Sequence, residues 1–150
     1  MKAYSLSGAA AAEPRPAAPV LDAFFPPVVT TGAATAVTAA GKFAAWPPDS
    51  WTDAPGINLL PEKETGKFRV EIAADVPPGP HLVRLFNASG ASAPRFLLVA
   101  ATPPLAEVEP NDEPARAQPV TSLPAVITGR PAKVGDVDGY ALELAASRFD

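Results

Sequence analysis

Cysteine is absent from this chain of 150 residues, which removes disulfide bridges and thiolate metal sites together. That absence leaves the compartment open, because an exported protein can be stabilised by a bound calcium ion instead. Basic residues are also scarce: 12 Lys and Arg stand against 16 Asp and Glu, a formal net charge of −4. Without a basic patch to neutralise phosphates, no nucleic-acid partner is expected. No apolar run approaches the roughly 20 residues that a membrane-spanning helix needs. Histidine occurs once, at His81. A Ser-His-Asp site drawn through it and Asp75 lacks a nucleophile-elbow sequence, so the chain is expected to carry no catalytic residues.

Proline is the residue in excess, with 20 copies against only 10 glycines. Interior proline removes a helix donor and clashes with the preceding turn, so long helices are disfavoured. Residues 1–18, rich in alanine and proline, read either as a flexible leader or as a weak or start-truncated signal peptide; the h-region such a signal needs is nearly missing. From Pro19 onward, short apolar runs alternate with turn clusters. Strands are expected over 20–25, 34–40, 57–60, 67–72, 82–86 and 96–99, with Asn87-Ala-Ser-Gly90 turning the chain between the last two. The clearest is 67–72, where Phe68, Val70 and Ile72 alternate with Lys67, Arg69 and Glu71. Short strands at spacings of about ten residues point to a β-sandwich, read here as an immunoglobulin-like domain over 19–101.

Thr102-Pro-Pro-Leu opens a proline-rich linker over 102–106. A second unit then runs over 107–150, with strands expected at 125–128 and 139–144. At some 44 residues without disulfides it is short for a domain that folds alone, and it reads as a sandwich interrupted part-way. Its opening, Glu107-Val-Glu-Pro-Asn-Asp112, packs four oxygen-bearing side chains into six residues, and Gly135-Asp-Val-Asp138 adds two more carboxylates at alternate positions. Hard cations such as Ca²⁺ demand that density of oxygen donors. The plain alternative is a solvated acidic connector, which uses the same residue types. An EF-hand loop starting at Asp136 is excluded, because its twelfth position is Ser147 rather than Glu.

Together with Ala117-Gln118-Pro-Val, Leu123-Pro, Gly129-Arg130 and Gly139-Tyr140, these acidic motifs resemble the opening of the bacterial pre-peptidase C-terminal domain, over about 105–146. That family is a secreted β-sandwich, with relatives in bacterial collagenases that include calcium-bound collagen-binding modules. The preceding part, with Trp46-Pro47, Trp51 and Asp75-Val-Pro-Pro-Gly79, is similar to the immunoglobulin-like segment that precedes this domain in exported planctomycete-type proteins. The resemblance implies an all-β chain: an immunoglobulin-like β-sandwich followed by a truncated jelly-roll-like β-sandwich. It implies Ca²⁺ as the cofactor, with Glu107, Glu109, Asn111, Asp112, Asp136 and Asp138 as metal ligands. Within each pair, Glu107 with Glu109 and Asp136 with Asp138, the two-residue strand period would turn both carboxylates to one side.

The remaining chemistry-bearing residues have plainer expected roles. Trp46 and Trp51 flank a Pro-Pro-Asp-Ser loop and are expected to pack over one end of the core, with a carbohydrate- or peptide-binding platform as the alternative. His81 is expected to tie a corner before a strand, and Glu62-Lys-Glu64 to form a charged turn. The expected function is a non-catalytic accessory module of an exported bacterial protein, periplasmic or extracellular, acting as spacer, adhesion or substrate-presenting domain. Its expected partners are other domains of the parent protein, with extracellular polysaccharide or protein as further candidates. The alternative is the N-terminal accessory part of a secreted hydrolase or peptidase whose catalytic domain lies beyond residue 150.

Overall fold

Two antiparallel-rich sheets enclose the main core in the computed structural model, which describes residues 15–131 and 133–143. One sheet has the order β1-β3-β6-β5, built from Val20–Phe25, Ala34–Lys42, Lys67–Ile72 and Ile57–Pro61. The other has the order β2-β9-β7-β4, from Val28–Thr30, Arg95–Ala100, Gly79–Asn87 and Asp49–Thr52, and the short β8 at Gly90–Ala91 pairs with β7. The expected all-β sandwich is therefore observed. The described residues of the expected leader, 15–18, run beside the β7–β8 hairpin, where Asn87 Nδ2 donates to Ala17 O at 2.9 Å; residues 1–14 lie outside the described residues.

Strand β6 behaves as its alternation requires: Phe68, Val70 and Ile72 are buried, and face Val83 and Leu85 of β7 and Leu97 and Val99 of β9 within one apolar cluster. Strand β1 breaks strict alternation, because Leu21 and Phe24 both point into the core. The cause is a bulge at Asp22: Leu21 pairs with Gly41, whereas Ala23 pairs with the adjacent Ala40. An extra residue on one strand resets which face the following side chains occupy. The bulge carbonyl is not left bare, since Arg95 Nε donates to Asp22 O at 2.6 Å.

Pro26-Pro27 does stop β1, but the chain resumes at once in the opposite sheet as β2, parallel to β9. A proline pair has no N–H to continue the first ladder, while its carbonyl remains usable, and Leu98 N donates to Pro27 O at 2.9 Å. Strand β4 was likewise not anticipated. It carries Trp51 outward, 48% exposed, opposite Arg84. Only Trp46 packs as expected. Its ring meets Phe68 edge-on at 5.1 Å and Phe43 at 5.6 Å, and its Nε1 donates to Glu62 O.

His81 does tie a corner, though its acid is Asp53 rather than Asp75. Nδ1 lies 3.1 Å from Asp53 Oδ1, Nε2 lies 2.9 Å from Pro77 O, and Asp53 Oδ2 accepts from Leu82 N. Desolvation pushes the Asp53 carboxyl up, but the Leu82 amide and His81 outweigh it and hold it below the ordinary carboxylate range.

Beyond residue 101 the architecture changes. Strand β10, Leu105–Ala106, pairs in parallel with β12, Ile127–Thr128, and β11, Gln118–Val120, pairs in parallel with β13, Tyr140–Leu142. The linker expected over 102–106 therefore ends in a strand, and the strands expected at 125–128 and 139–144 are shorter than anticipated; Leu144 lies outside the described residues. Val120 is the buried apolar side chain of this part, beside the buried polar Asn111 and Gln118. A single 3₁₀ turn, Pro114–Arg116, separates the acidic stretch from β11. The Arg130 guanidinium lies 4.6 Å over the Phe25 ring, joining this part to the end of β1.

Candidate metal centre

The acidic stretch lies just after β10, and two fixed points set its path. Gln118, at the start of β11, accepts from Val108 N and donates to Ala106 O, both at 2.8 Å, so one buried amide clamps the chain on both sides of Glu107. Glu109 Oε2 then accepts from Asn111 N at 3.1 Å and closes the turn around Pro110. Asn111 O accepts from Gly139 N at 3.1 Å, which brings the 136–140 stretch against the 107–112 stretch.

Glu107 is the most heavily bonded carboxylate of the group. Its Oε1 accepts from Asn111 Nδ2 and from the Tyr140 hydroxyl, both at 3.2 Å, and its Oε2 accepts from Arg130 N at 2.9 Å. Gly129 is necessary for this approach, because a Cβ there would overlap the Glu107 carboxylate. The Asn111 amide and a hydrogen bond with Asp138 hold Glu107 below its usual range. The same hydrogen bond, with desolvation and repulsion by Glu107, pushes the Asp138 carboxyl up to about 6. One hydrogen bond thus moves the two carboxyls in opposite directions. Burial and the Glu107 bond raise the Tyr140 hydroxyl.

The carboxylates gather into two trios. Oxygens of Glu107, Glu109 and Asp138 lie within 4.8 Å of one another, and so do oxygens of Glu109, Asp112 and Asp136. Donors on opposite sides of a Ca²⁺ ion, each at 2.3–2.6 Å, are about 5 Å apart, so either trio fits one coordination sphere. Glu109 belongs to both. Asn111 is 0% exposed, and its Oδ1 has no hydrogen-bond partner among the described residues, although the Nδ2 of the same amide touches Glu107. A buried polar atom left unpaired costs about 1–3 kcal/mol, and a cation among these carboxylates would be a natural partner for it. The donor set is all hard oxygen, which suits Ca²⁺ and allows an irregular shell that Mg²⁺ tolerates poorly.

The five expected carboxylates gather in these two trios, and Asn111 touches one of them through its Nδ2 bond to Glu107, but the pairing is not the expected one. Glu107 and Glu109 do share a trio, although a capped turn rather than a strand brings them together. Asp136 and Asp138 were expected to share a face, and they divide between the two trios. Asp136 ends a turn closed by its N–H to Lys133 O, and residues 136–138 belong to no strand, whereas the period-two rule applies only to extended strand. Gln118, Gly129, Tyr140 and Lys133 were not anticipated as supporting residues. Three of them lie in the motifs quoted above, but only the fold shows that their partner is the 106–108 stretch or Glu107.

No protein-family model, curated protein or solved structure matches this chain. Among the described residues, no helix is long and apolar enough to cross a membrane.

Proposed function

We propose that this chain is a non-catalytic accessory module of an exported bacterial protein, serving as a spacer or adhesion domain, with a calcium ion ordering the junction between its two parts. The observation that carries the reading is the buried Asn111 amide, bonded through Nδ2 to Glu107 while its Oδ1 has no partner among the described residues, together with two carboxylate trios that share Glu109. The motif resemblance to the pre-peptidase C-terminal domain supports the same ion and the same exported setting.

Glu107, Glu109, Asn111, Asp112, Asp136 and Asp138 would hold the ion, which supplies positive charge to acids that otherwise repel one another. Gln118 and Gly129 position the first of these ligands, and Tyr140 orients Glu107 by a hydrogen bond. Because the Asp138 carboxyl is raised to about 6, protons compete with the ion for it, and affinity falls as pH drops through 6. The ligand-bearing stretch starts directly after Pro103-Pro104 and β10, so ordering it also fixes the path of the chain leaving the sandwich.

Differential scanning calorimetry of the full chain, in calcium and in chelator, tests this. Calcium at a hundred times its Kd stabilises the binding part by about 2.7 kcal/mol, read as a raised melting temperature. A melting profile identical in calcium and in chelator would remove the cation from this reading.

A further inference from the structure

The second trio already holds a positive charge supplied by the chain itself. Lys133 Nζ lies 3.1 Å from Asp112 Oδ2 and 3.9 Å from Asp136 Oδ1. The two acids differ in setting. The Asp136 side chain is 3% exposed, whereas that of Lys133 is 64% exposed, so the ammonium comes from the solvent side onto a carboxylate turned inward. The backbone explains the juxtaposition: Asp136 N donates to Lys133 O at 3.3 Å, closing a turn in which Gly135 takes φ +81°. A left-handed third position suits glycine, and the closed turn brings its first and last residues side by side.

Resting on the cation reading above, we propose that Lys133 is a built-in competitor for the site: its ammonium takes the cation's place at Asp112 and Asp136, and a divalent cation enters the Glu109–Asp112–Asp136 trio only by displacing it. The reason is electrostatic and steric. A Ca²⁺ ion at bonding distance from Asp112 Oδ2 would lie within a few ångströms of an ammonium bonded to that same oxygen, and the two positive charges repel. Both cannot hold the oxygen at once. A solvent-facing lysine ammonium is charged throughout the physiological range, so Lys133, which donates to Asp112 Oδ2, competes across it.

Two consequences follow from a tethered competitor. A monovalent ion gains little by replacing an ammonium of equal charge that is already in place, whereas a dication gains a full unit of charge at the trio. Displacement also breaks the Lys133 contacts that brace the 133–136 turn, so filling this trio changes the turn as well as the acids. An exposed ion pair contributes modestly, and two such contacts set the expected change in affinity at about threefold to tenfold.

The test is isothermal titration of the full chain with CaCl₂ from a chelator-treated state, comparing the native protein with Lys133→Met, Lys133→Arg and Lys63→Met. Lys63 lies in the turn between β5 and β6, and its loss changes net charge by the same amount. Lys133→Met is expected to bind calcium about threefold to tenfold more tightly, with Lys133→Arg and Lys63→Met within about twofold of native. Calcium bound by Lys133→Met but not by the native chain would support the proposal equally. If the native protein binds and Lys133→Met binds no more tightly, Lys133 is not a competitor and the cation reading survives. If Lys63→Met tightens binding as much as Lys133→Met, the effect is one of net charge and the proposal fails. If none of the four proteins binds, both readings fall. Circular dichroism of each variant verifies folding, which loss of a largely exposed lysine leaves intact.

Discussion

The part of the chain before residue 101 and the part after it are both built from β-strands without a disulfide, yet their centres are made of opposite materials. Between the two large sheets lie Phe68, Val70, Leu85, Leu97 and Val99, all fully or almost fully buried. Between the short strands of the later part lie Asn111 and Gln118, with Val120 as the buried apolar side chain. Apolar burial is non-directional and scales with area, so the first part is stable through its own packing. A polar centre is favourable only when every group is paired, and the later part contains an amide oxygen with no partner among the described residues. On the proposed reading, stability depends on apolar packing in the first part and on how polar groups are partnered in the second.

Removing a large apolar side chain should break the first part most severely. Phe68→Ala deletes a buried ring that packs against Trp46, and a loss of about 3–5 kcal/mol is expected in urea unfolding. A loss below 1 kcal/mol would mean that the sandwich does not depend on this core. The later part should respond to a different change. Asn111→Ala is expected to remove most of the roughly 2.7 kcal/mol that calcium adds at a hundred times Kd, while unfolding of the sandwich core is unaltered. An undiminished calcium response in that variant would show that the buried amide is not a ligand.

Acidity should separate the two parts next. Asp138 has a folded pKa of about 6, above its ordinary 3.8, so its contribution to stability is complete below 3.8 and is lost as pH rises through 6. Glu107 is held below its ordinary 4.5, and its contribution is present above that value and lost as pH falls below it. In chelator, therefore, lowering the pH from 7 to 5 should stabilise the later part. In calcium the same change should weaken it, because protons and the ion compete for Asp138 and Glu107. Melting curves at the two pH values, with and without chelator, check both signs; the same sign in both conditions would contradict competition between protons and the ion at Asp138. The smallest effect is expected at Trp51, which is half exposed on β4. Trp51→Ala should change stability by no more than about 0.5 kcal/mol, whereas Trp46→Ala should cost several times that by fluorescence-monitored unfolding.

Legibility in the sequence follows the same divide. Strand β6 is plain because both of its neighbours in the sheet are present and one face is buried, so alternation in composition becomes alternation in space. Strand β1 was located correctly, but its bulge was not legible: Asp22 is an ordinary polar residue until β3 pairs against it. Strands β2 and β4 were hidden for another reason. Val28–Thr30 is three residues long and Asp49–Thr52 begins with turn-forming residues, so neither makes a local pattern strong enough to outweigh the prolines beside it. Trp46 and Trp51 stand five positions apart at the two ends of one Pro-Pro-Asp-Ser loop, and only the fold shows that one packs on Phe68 and the other faces solvent.

At the candidate metal centre, the sequence by itself determined the inventory. The abundance of proline and the alternating runs dictated β-structure, the lack of cysteine excluded thiolate and disulfide chemistry, and the oxygen-rich stretches at 107–112 and 135–138 supplied hard donors. These properties are local, because propensity and donor chemistry travel with each residue. Which carboxylates stand together was decided by tertiary structure. Glu109 reaches two trios, Asp136 and Asp138 part company across a turn, and Lys133 arrives at Asp112 from 21 positions away. Distances of a few ångströms between residues far apart in the chain depend on strand pairing, loop closure and the clamps at Gln118 and Gly129, none of which any single stretch encodes.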